Sequence, residues 1–302
     1  MRLSRLDRPF RPRRSALSIP AVNLRALEKA PTLDADVLIL DLEDSVAEER
    51  KAEARDNLKR HLAATPAGHA ERIIRINAVD TAHAREDLAA VIACRPDAVL
   101  LPKVETPRAV LDVADFLGEN DGGEKIRIWA MIETPRAVLN AALIAEAAHT
   151  PDARLDGFVI GLNDLRKETG VLPGRDRRYL HPWMMQILLA ARAYGLDALD
   201  SVSNDFRDLE AFAAECAEGR AMGFDGKMLI HPAQIEPANR HFGPADAALA
   251  QARGIMAAFA KPEAEGLGVI NVDGHMVERL HLDEARRLVA IADLIAARKE
   301  MR

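Results

Sequence analysis

The sequence predicts an α/β protein built as a closed (β/α)8 TIM barrel with a C-terminal helical extension. Three observations lead there. Eight short apolar runs alternate with longer amphipathic ones between residues 17 and 231. Runs such as VLILDL, AVLLP and GFVIGL are apolar at consecutive positions, as in parallel strands buried on both faces. No GxGxxG or GxxxxGK[ST] follows a strand, so the open doubly wound sheet, the alternative arrangement, lacks its usual signatures.

The expected strands are Leu17–Pro20, Asp36–Asp44, Arg72–Asn77, Asp97–Val104, Arg127–Thr134, Gly157–Asp164, Leu196–Val202 and Gly223–His231. Between them, Leu24–Ala30, Glu48–His61, Ala84–Ala93, Pro107–Leu117, Pro135–Ala148, Pro182–Tyr194 and Asp205–Ala221 carry apolar residues at helical spacing. Pro107, Pro135 and Pro182 suit a first helical turn, where the missing N–H costs little. Pro244–Ala260 and Leu282–Lys299 read as two further helices, joined by a loop or short hairpin over Lys261–Gly274. The expected division is a barrel over residues 1–235, with a short basic arm, and an extension over 236–302 serving as a lid or a subunit contact.

Composition narrows the function. The 302 residues (33.1 kDa) carry 41 basic and 47 acidic side chains, a net charge of −6. That balance argues against a nucleic-acid binder, and twelve aromatic residues leave little for stacking on bases. No apolar run approaches the ~20 residues of a membrane span. Two cysteines, Cys94 and Cys216, cannot make a disulfide framework, which fits a cytoplasmic setting. The opening MRLSRLDRPFRPRRS is basic but lacks the apolar centre of a secretory signal, and reads as a solvent-facing arm or an anion contact.

Polar residues gather where barrel strands are expected to end, the usual place of a barrel active site. Asp41, Glu43 and Asp44 end the second strand, Arg75 and Asn77 the third, Lys103 and Glu105 the fourth, Glu133 and Thr134 the fifth. Asn163 and Asp164 end the sixth, Asp200 the seventh, and Lys227 and His231 belong to the eighth. Glu133 and Asp164 end neighbouring strands, so their carboxylates are candidates for one hard divalent cation, or else cap the helices that follow. Asp41, Glu43 and Asp44 are either outer groups holding metal-bound water or a helix-start cluster. Arg75 sits in the apolar strand RIIRIN and needs a carboxylate partner, either a substrate acid or a core aspartate. His231 precedes Pro232 and reads as a base, a ligand or, ahead of these, a capped structural histidine.

The segments RSALSIPAVNLRALEKA, ADVLILDLEDSVAEERKAEAR, IIRINAVD, DAVLLPKVETP, IETPRAVLNAA, LDGFVIGLNDL and GFDGKMLIHPAQI occur in this order. With them the chain resembles the citrate lyase β-subunit-like and malyl-CoA lyase family of the HpcH/HpaI aldolase group. The tail VDGHMVERLHLDEARRLVAIAD is similar to that family's C-terminal motif. The resemblance implies a barrel with an extension, assembled as a homotrimer or hexamer. It implies Mg²⁺ on Glu133 and Asp164, with Glu43 and Asp44 beside it. It implies that Arg75 grips the carboxylate of a small 2-keto or hydroxy acid, and that Arg14 and Lys29 lie on the CoA side. The implied activity is carbon–carbon cleavage of a short 3-hydroxyacyl-CoA, such as malyl-CoA or citramalyl-CoA, to a 2-keto acid and an acyl-CoA.

Three positions depart from the family pattern. Glu278 stands where an aspartate acts as base on a neighbouring subunit's site. Ala21 replaces a glycine and Asn23 an arginine in the turn after the first strand. These departures keep other readings open: a citrate lyase β-subunit acting on an acyl-carrier thioester, a malyl-CoA thioesterase, an aldolase of non-CoA hydroxy-keto acids, or a non-catalytic Mg²⁺/keto-acid-binding protein.

Overall fold

The computed structural model describes residues 11–66, 68–174, 176–272 and 274–300. Residues 1–10 of the basic arm lie outside them. Eight strands close a parallel barrel: β1 (Ser15–Pro20), β2 (Val37–Asp41), β3 (Glu71–Arg75), β4 (Ala98–Leu101), β5 (Arg127–Ile132), β6 (Leu155–Ile160), β7 (Asp197–Asp200) and β8 (Gly226–Leu229). Each pairs with its sequence neighbour, and β8 returns to β1.

The residues alternate between two cores. One set packs inside the barrel: Ala16, Val37, Ile39, Ile73, Leu100, Trp129, Met131, Val159, Leu199 and Met228. The other, including Leu38, Leu40, Ile74, Leu101, Ile132, Phe158 and Ile160, faces the surrounding helices. Both sets are apolar, so the strands read as unbroken apolar runs although their side chains still alternate. Trp129 fills the lumen across from β6, and a Cβ at Gly157 would sit 2.8 Å from its ring.

The strands are shorter than the sequence suggests. Asp44, Asn77, Val104, Thr134 and His231 lie beyond the last paired residues, in the turns that lead into helices. Asp164 belongs to the first turn of a helix, Leu162–Thr169, rather than to a strand. That helix and Ile235–Phe242 are additions to the expected set. Each follows a strand so closely that its apolar residues merge with the strand's in the sequence. Pro135–Ala148 is not one helix but two, Pro135–Leu139 and Ala141–Glu146, broken at Asn140, whose side chain donates to Glu105 O at 2.9 Å.

After the barrel, Asp246–Phe259 packs against the final helix, Arg279–Glu300, and between them a hairpin forms from β9 (Val269–Val272) and β10 (His275–Glu278). The final helix reaches the N-terminal end of the barrel. There Arg298 Nη1 lies 3.1 Å from Asp36 Oδ1 and Arg287 Nη2 lies 3.9 Å from Asp197 Oδ1.

That end of the lumen is closed by charge. Arg13 donates to Glu71 through Nε (2.7 Å) and Nη2 (2.8 Å), to Asp156 at 2.7 Å and to Asp197 at 2.6 Å. Its guanidinium also lies over the Trp129 ring, 4.5 Å from the centroid. Arg13→Met would remove the cation shared by three largely buried carboxylates, leaving Glu71 with Arg11 at 3.4 Å, Asp156 with Arg127 at 3.2 Å and Asp197 with Arg287 at 3.9 Å. A loss of about 3–5 kcal/mol is expected in chemical denaturation, and an unchanged midpoint would refute this role.

Candidate active site

The opposite, C-terminal end of the barrel carries a different set of charges. The register places Asp41 of β2 beside Arg75 of β3, and both point inward above Ile39 and Ile73. Arg75 donates through Nε and Nη2 to the two oxygens of Asp41, each at 2.6 Å. Asp41 is fully buried. Burial opposes its charge, but Arg75 and the hydrogen bonds around it hold the carboxyl below the usual range. The core-aspartate partner for Arg75 is therefore present.

Asp41 also accepts from Glu43 N at 3.0 Å, and from Ser45 N at 3.3 Å and the Ser45 hydroxyl. These bonds fold the turn that carries Glu43 and Asp44. Beneath it, Lys51 Nζ donates to the carbonyls of Leu42 (2.9 Å) and Glu43 (2.8 Å) and to Asn77 Oδ1 (2.7 Å). Asn77 in turn donates to Asp87, which Arg55 holds. Asn77 thus braces the turn from below.

Glu43 is 4% exposed, and burial raises its carboxyl while Arg75 opposes the rise. Its Oε2 lies 2.8 Å from Arg75 Nη1, at ion-pair distance but without hydrogen-bond alignment. Lys103 Nζ meets Glu43 Oε1 on the other side and lies 3.8 Å from Asp44 Oδ1. The backbone N–H of Lys103 donates to Glu133 Oε1 at 2.8 Å.

Glu133 continues the inward series Trp129, Met131 beyond the end of β5 and is 2% exposed. Burial, then the charges of Glu43 and Asp164, push its carboxyl up to about 8. Gly161 lets the chain pass against it, for a Cβ there would meet Glu133 Oε2 at 2.4 Å and Glu133 Cβ at 2.5 Å. Asp164, half-buried, follows in the first turn of its helix.

The structure thus gathers Glu43, Asp44, Arg75, Glu133 and Asp164 at one rim. Among the described residues, the other three expected ones, Arg14, Lys29 and Glu278, share no hydrogen bond or ion pair with that set. Arg14 is a correction. It lies at the N-terminal end of β1, buried and bidentate to Asp36 (Nε 2.7 Å, Nη2 2.9 Å), so its position at the first motif marks a core pair. Lys29 is exposed in the last turn of the helix Leu24–Lys29. Glu278 is exposed on β10, whose following helix packs at the far end of the barrel.

Two other strand-end candidates have structural partners. Asp200 and Lys227 pair at 3.0 Å between the barrel wall and the helix Leu209–Met222, with Arg177 on both Asp200 oxygens at 2.8 Å and Glu215 3.1 Å from Lys227. His231 caps the turn after β8, accepting from Ala233 N at 3.2 Å, and stacks on Phe206 at 4.6 Å.

Two oxygen donors, Glu133 and Asp164, suit a hard divalent cation. The raised Glu133 carboxyl fits that use, because a cation would offset the burial, and the repulsion from Glu43 and Asp164, that raise it. Among the described residues no three His, Cys, Asp or Glu side chains converge into an all-protein cage. A Mg²⁺ there would complete its shell from substrate oxygens and water, as that ion commonly does.

Residues 14–232 match the HpcH/HpaI aldolase/citrate lyase family model. This chain belongs to the HpcH/HpaI aldolase/citrate lyase family. It is 46% identical to a (3S)-malyl-CoA thioesterase of Cereibacter sphaeroides, over 95% of this chain and 96% of that one. It is 32% identical to the mitochondrial citramalyl-CoA lyase of Homo sapiens, over 94% and 86%. Among solved structures, CitE of Mycobacterium tuberculosis with magnesium, acetoacetate and coenzyme A superposes with a TM-score of 0.73, at 33% identity, covering 92% of this chain and 97% of that one. Family members thus include both thioester hydrolysis and carbon–carbon cleavage.

The raised Glu133 carboxyl has a consequence for stability. Its folded value, about 8, lies above the ordinary carboxylate value of 4.5, so the folded state holds a proton that the unfolded state releases between them. Without divalent cations, stability is expected to fall as pH rises through that window. Glu133→Gln removes the ionisation. Melting in chelator is expected to show the variant gaining on the wild type from pH 5 to pH 8.5; a pH-independent difference would refute the assignment.

Proposed function

We propose that this chain is a Mg²⁺-dependent hydrolase of a short 3-hydroxyacyl-CoA thioester such as malyl-CoA. The observation that carries the site assignment is Glu133, buried at the rim with its carboxyl raised by burial and by Glu43 and Asp164. The choice of hydrolysis rests on the 46% identity with the thioesterase across nearly all of both chains. The second reading is carbon–carbon cleavage, which the motifs alone put first and which the 32% identity with citramalyl-CoA lyase supports.

In this reading Glu133 and Asp164 hold Mg²⁺, and Glu43 and Asp44 orient the water around it. Bound there, the cation supplies Lewis acidity at the oxygens of the substrate acid. Arg75 spends Nε and Nη2 on Asp41, so Nη1 is the part of its guanidinium turned toward Glu43 and the acid. Lys29 remains the CoA-side candidate, and Arg14 is withdrawn because Asp36 holds it at the other end of the barrel. Glu278, exposed on β10, serves in this reading as general base in the mouth of a neighbouring copy, within a homotrimer or hexamer.

Incubation of the protein with (3S)-malyl-CoA and Mg²⁺ is expected to yield free CoA and malate. Glyoxylate with acetyl-CoA would instead establish the second reading and end the first. Glu133→Gln and Asp164→Asn are each expected to lower kcat/KM by about 100-fold and raise the Mg²⁺ requirement; a wild-type rate in either removes that residue from the metal site.

The shared site has its own test. Glu278→Ala and Glu133→Gln, each inactive alone, are expected to recover about a quarter of the wild-type rate after subunit exchange in equal mixture. No recovery, with exchange verified by mass, would place Glu278 and Glu133 in one subunit's site and refute the shared arrangement, and an active Glu278→Ala variant would place Glu278 outside the mechanism.

A further inference from the structure

Lys103 stands out in the mouth on two independent grounds. Its backbone is left-handed, with φ +51°, a conformation that costs a side-chain-bearing residue energy and is found where surrounding structure enforces it. At this φ its N–H aims at Glu133 Oε1, 2.8 Å away. From the same anchored root, the ammonium reaches across the rim to Glu43 and toward Asp44.

The two cations of the mouth are differently committed. Arg75 is 8% exposed and locked on Asp41 by two hydrogen bonds. The Lys103 side chain is 35% exposed, and its carboxylate partners are one buried residue, Glu43, and one exposed residue, Asp44. An ammonium is a compact charge on a flexible stem with three donors, so it exchanges one oxygen for another without breaking a planar fork. A salt bridge to Glu43 alone would not require strained backbone. The strain fixes the lysine's root against the very carboxylate assigned to the cation, so its tip sweeps the space beside that cation.

We propose that Lys103 is a substrate-binding residue, whose ammonium donates to a carboxylate oxygen of the acid portion of the substrate and so selects for acyl groups that carry a free carboxylate. Arg75 Nη1 and Lys103 then approach one acid from two sides, with Glu43 between them keeping both cations in place when the acid is absent. This rests on the proposed function, since it takes the acid to be bound beside Glu133 and Asp164.

The test uses binding without turnover. Oxaloacetate is titrated calorimetrically into the full-length protein in saturating Mg²⁺, and Mg²⁺ binding is titrated separately. Lys103→Met keeps the backbone N–H on Glu133, so Mg²⁺ affinity is expected to stay within about twofold. Oxaloacetate affinity is expected to fall by about tenfold or more, the loss of one charge-assisted hydrogen bond. Lys103→Arg, which keeps the charge and the partner for Glu43, is expected to restore part of the binding and verifies the fold should the methionine variant melt early. If both variants bind oxaloacetate as the wild type does, Lys103 does not touch the acid and the functional reading survives. If both variants lose Mg²⁺ and acid together, Lys103 is structural and the inference is overturned. If the wild type itself binds no oxaloacetate with Mg²⁺, the acid site falls, and this inference with it.

Discussion

Within the barrel, an aspartate and an arginine in register on adjacent strands hold each other across two hydrogen bonds, and the mouth is arranged around that pair. Arg75 keeps Asp41 ionised in a place where burial alone would favour the neutral acid. An ionised Asp41 then accepts from Glu43 N and Ser45 N, which fixes the turn after β2. That turn presents Glu43 to Lys103, and Lys103 presents its N–H to Glu133. Each link is a charge-assisted or backbone hydrogen bond to a carboxylate, so the position of one carboxylate sets the next. Removing Arg75 leaves the buried Asp41 without its counter-ion, the costliest way to disturb such a network, whereas removing Asp41 leaves Arg75 its ion pair with Glu43.

The two ends of the barrel use the same residue types for opposite purposes. At the N-terminal end, Arg13 satisfies Glu71, Asp156 and Asp197 together, and Asp36 takes Arg14 and Arg298. Charges there are matched, and the final helix is fastened by them. At the C-terminal end carboxylates outnumber cations, and burial first, then repulsion from neighbouring carboxylates, raises the Glu43 and Glu133 carboxyls. An imbalance held in place by the fold is a standing affinity for a cation. It also follows the general division of labour in such barrels, with stability at one face and chemistry at the other.

Much of the fold was legible because continuous apolar strands separated by amphipathic helices leave few other arrangements. The strand ends were less so. Asp44, Asn77 and Thr134 continue the chain past the last ladder bond, and the sequence does not mark where hydrogen bonding stops. The gathering of Glu43, Arg75, Glu133 and Asp164 was legible from strand-end position and motif. The roles of Arg14, Asp200 and Lys227 were not, because a charged residue at a strand end reads alike whether it faces the mouth, the far end or the wall behind a helix. A period of two would have separated some of these. Glu71, Ile73, Arg75 and Arg127, Trp129, Met131, Glu133 both run charged–apolar–charged along the inward face, so each strand carries one charge for each end.

The departures at Ala21 and Asn23 take on a different meaning once their surroundings are known. Ala21 is buried, donates to Asp41 O at 2.9 Å, and accepts from Asn57 Nδ2 at 3.1 Å. Asn23 is the N-cap of the helix that follows, accepting from Ala26 N at 3.1 Å. Asn23 therefore does work that the local backbone needs, whereas the Ala21 bonds are main-chain bonds that a glycine would also make. Neither carries a charge, so the turn keeps its shape but lacks the cation that the family pattern's arginine would bring to the CoA side. The decision between hydrolysis and carbon–carbon cleavage rests on the groups that reach the reacting atoms; for Glu278, proposed as one of them, the longer carboxylate would change reach by about one bond length and leave the charge the same.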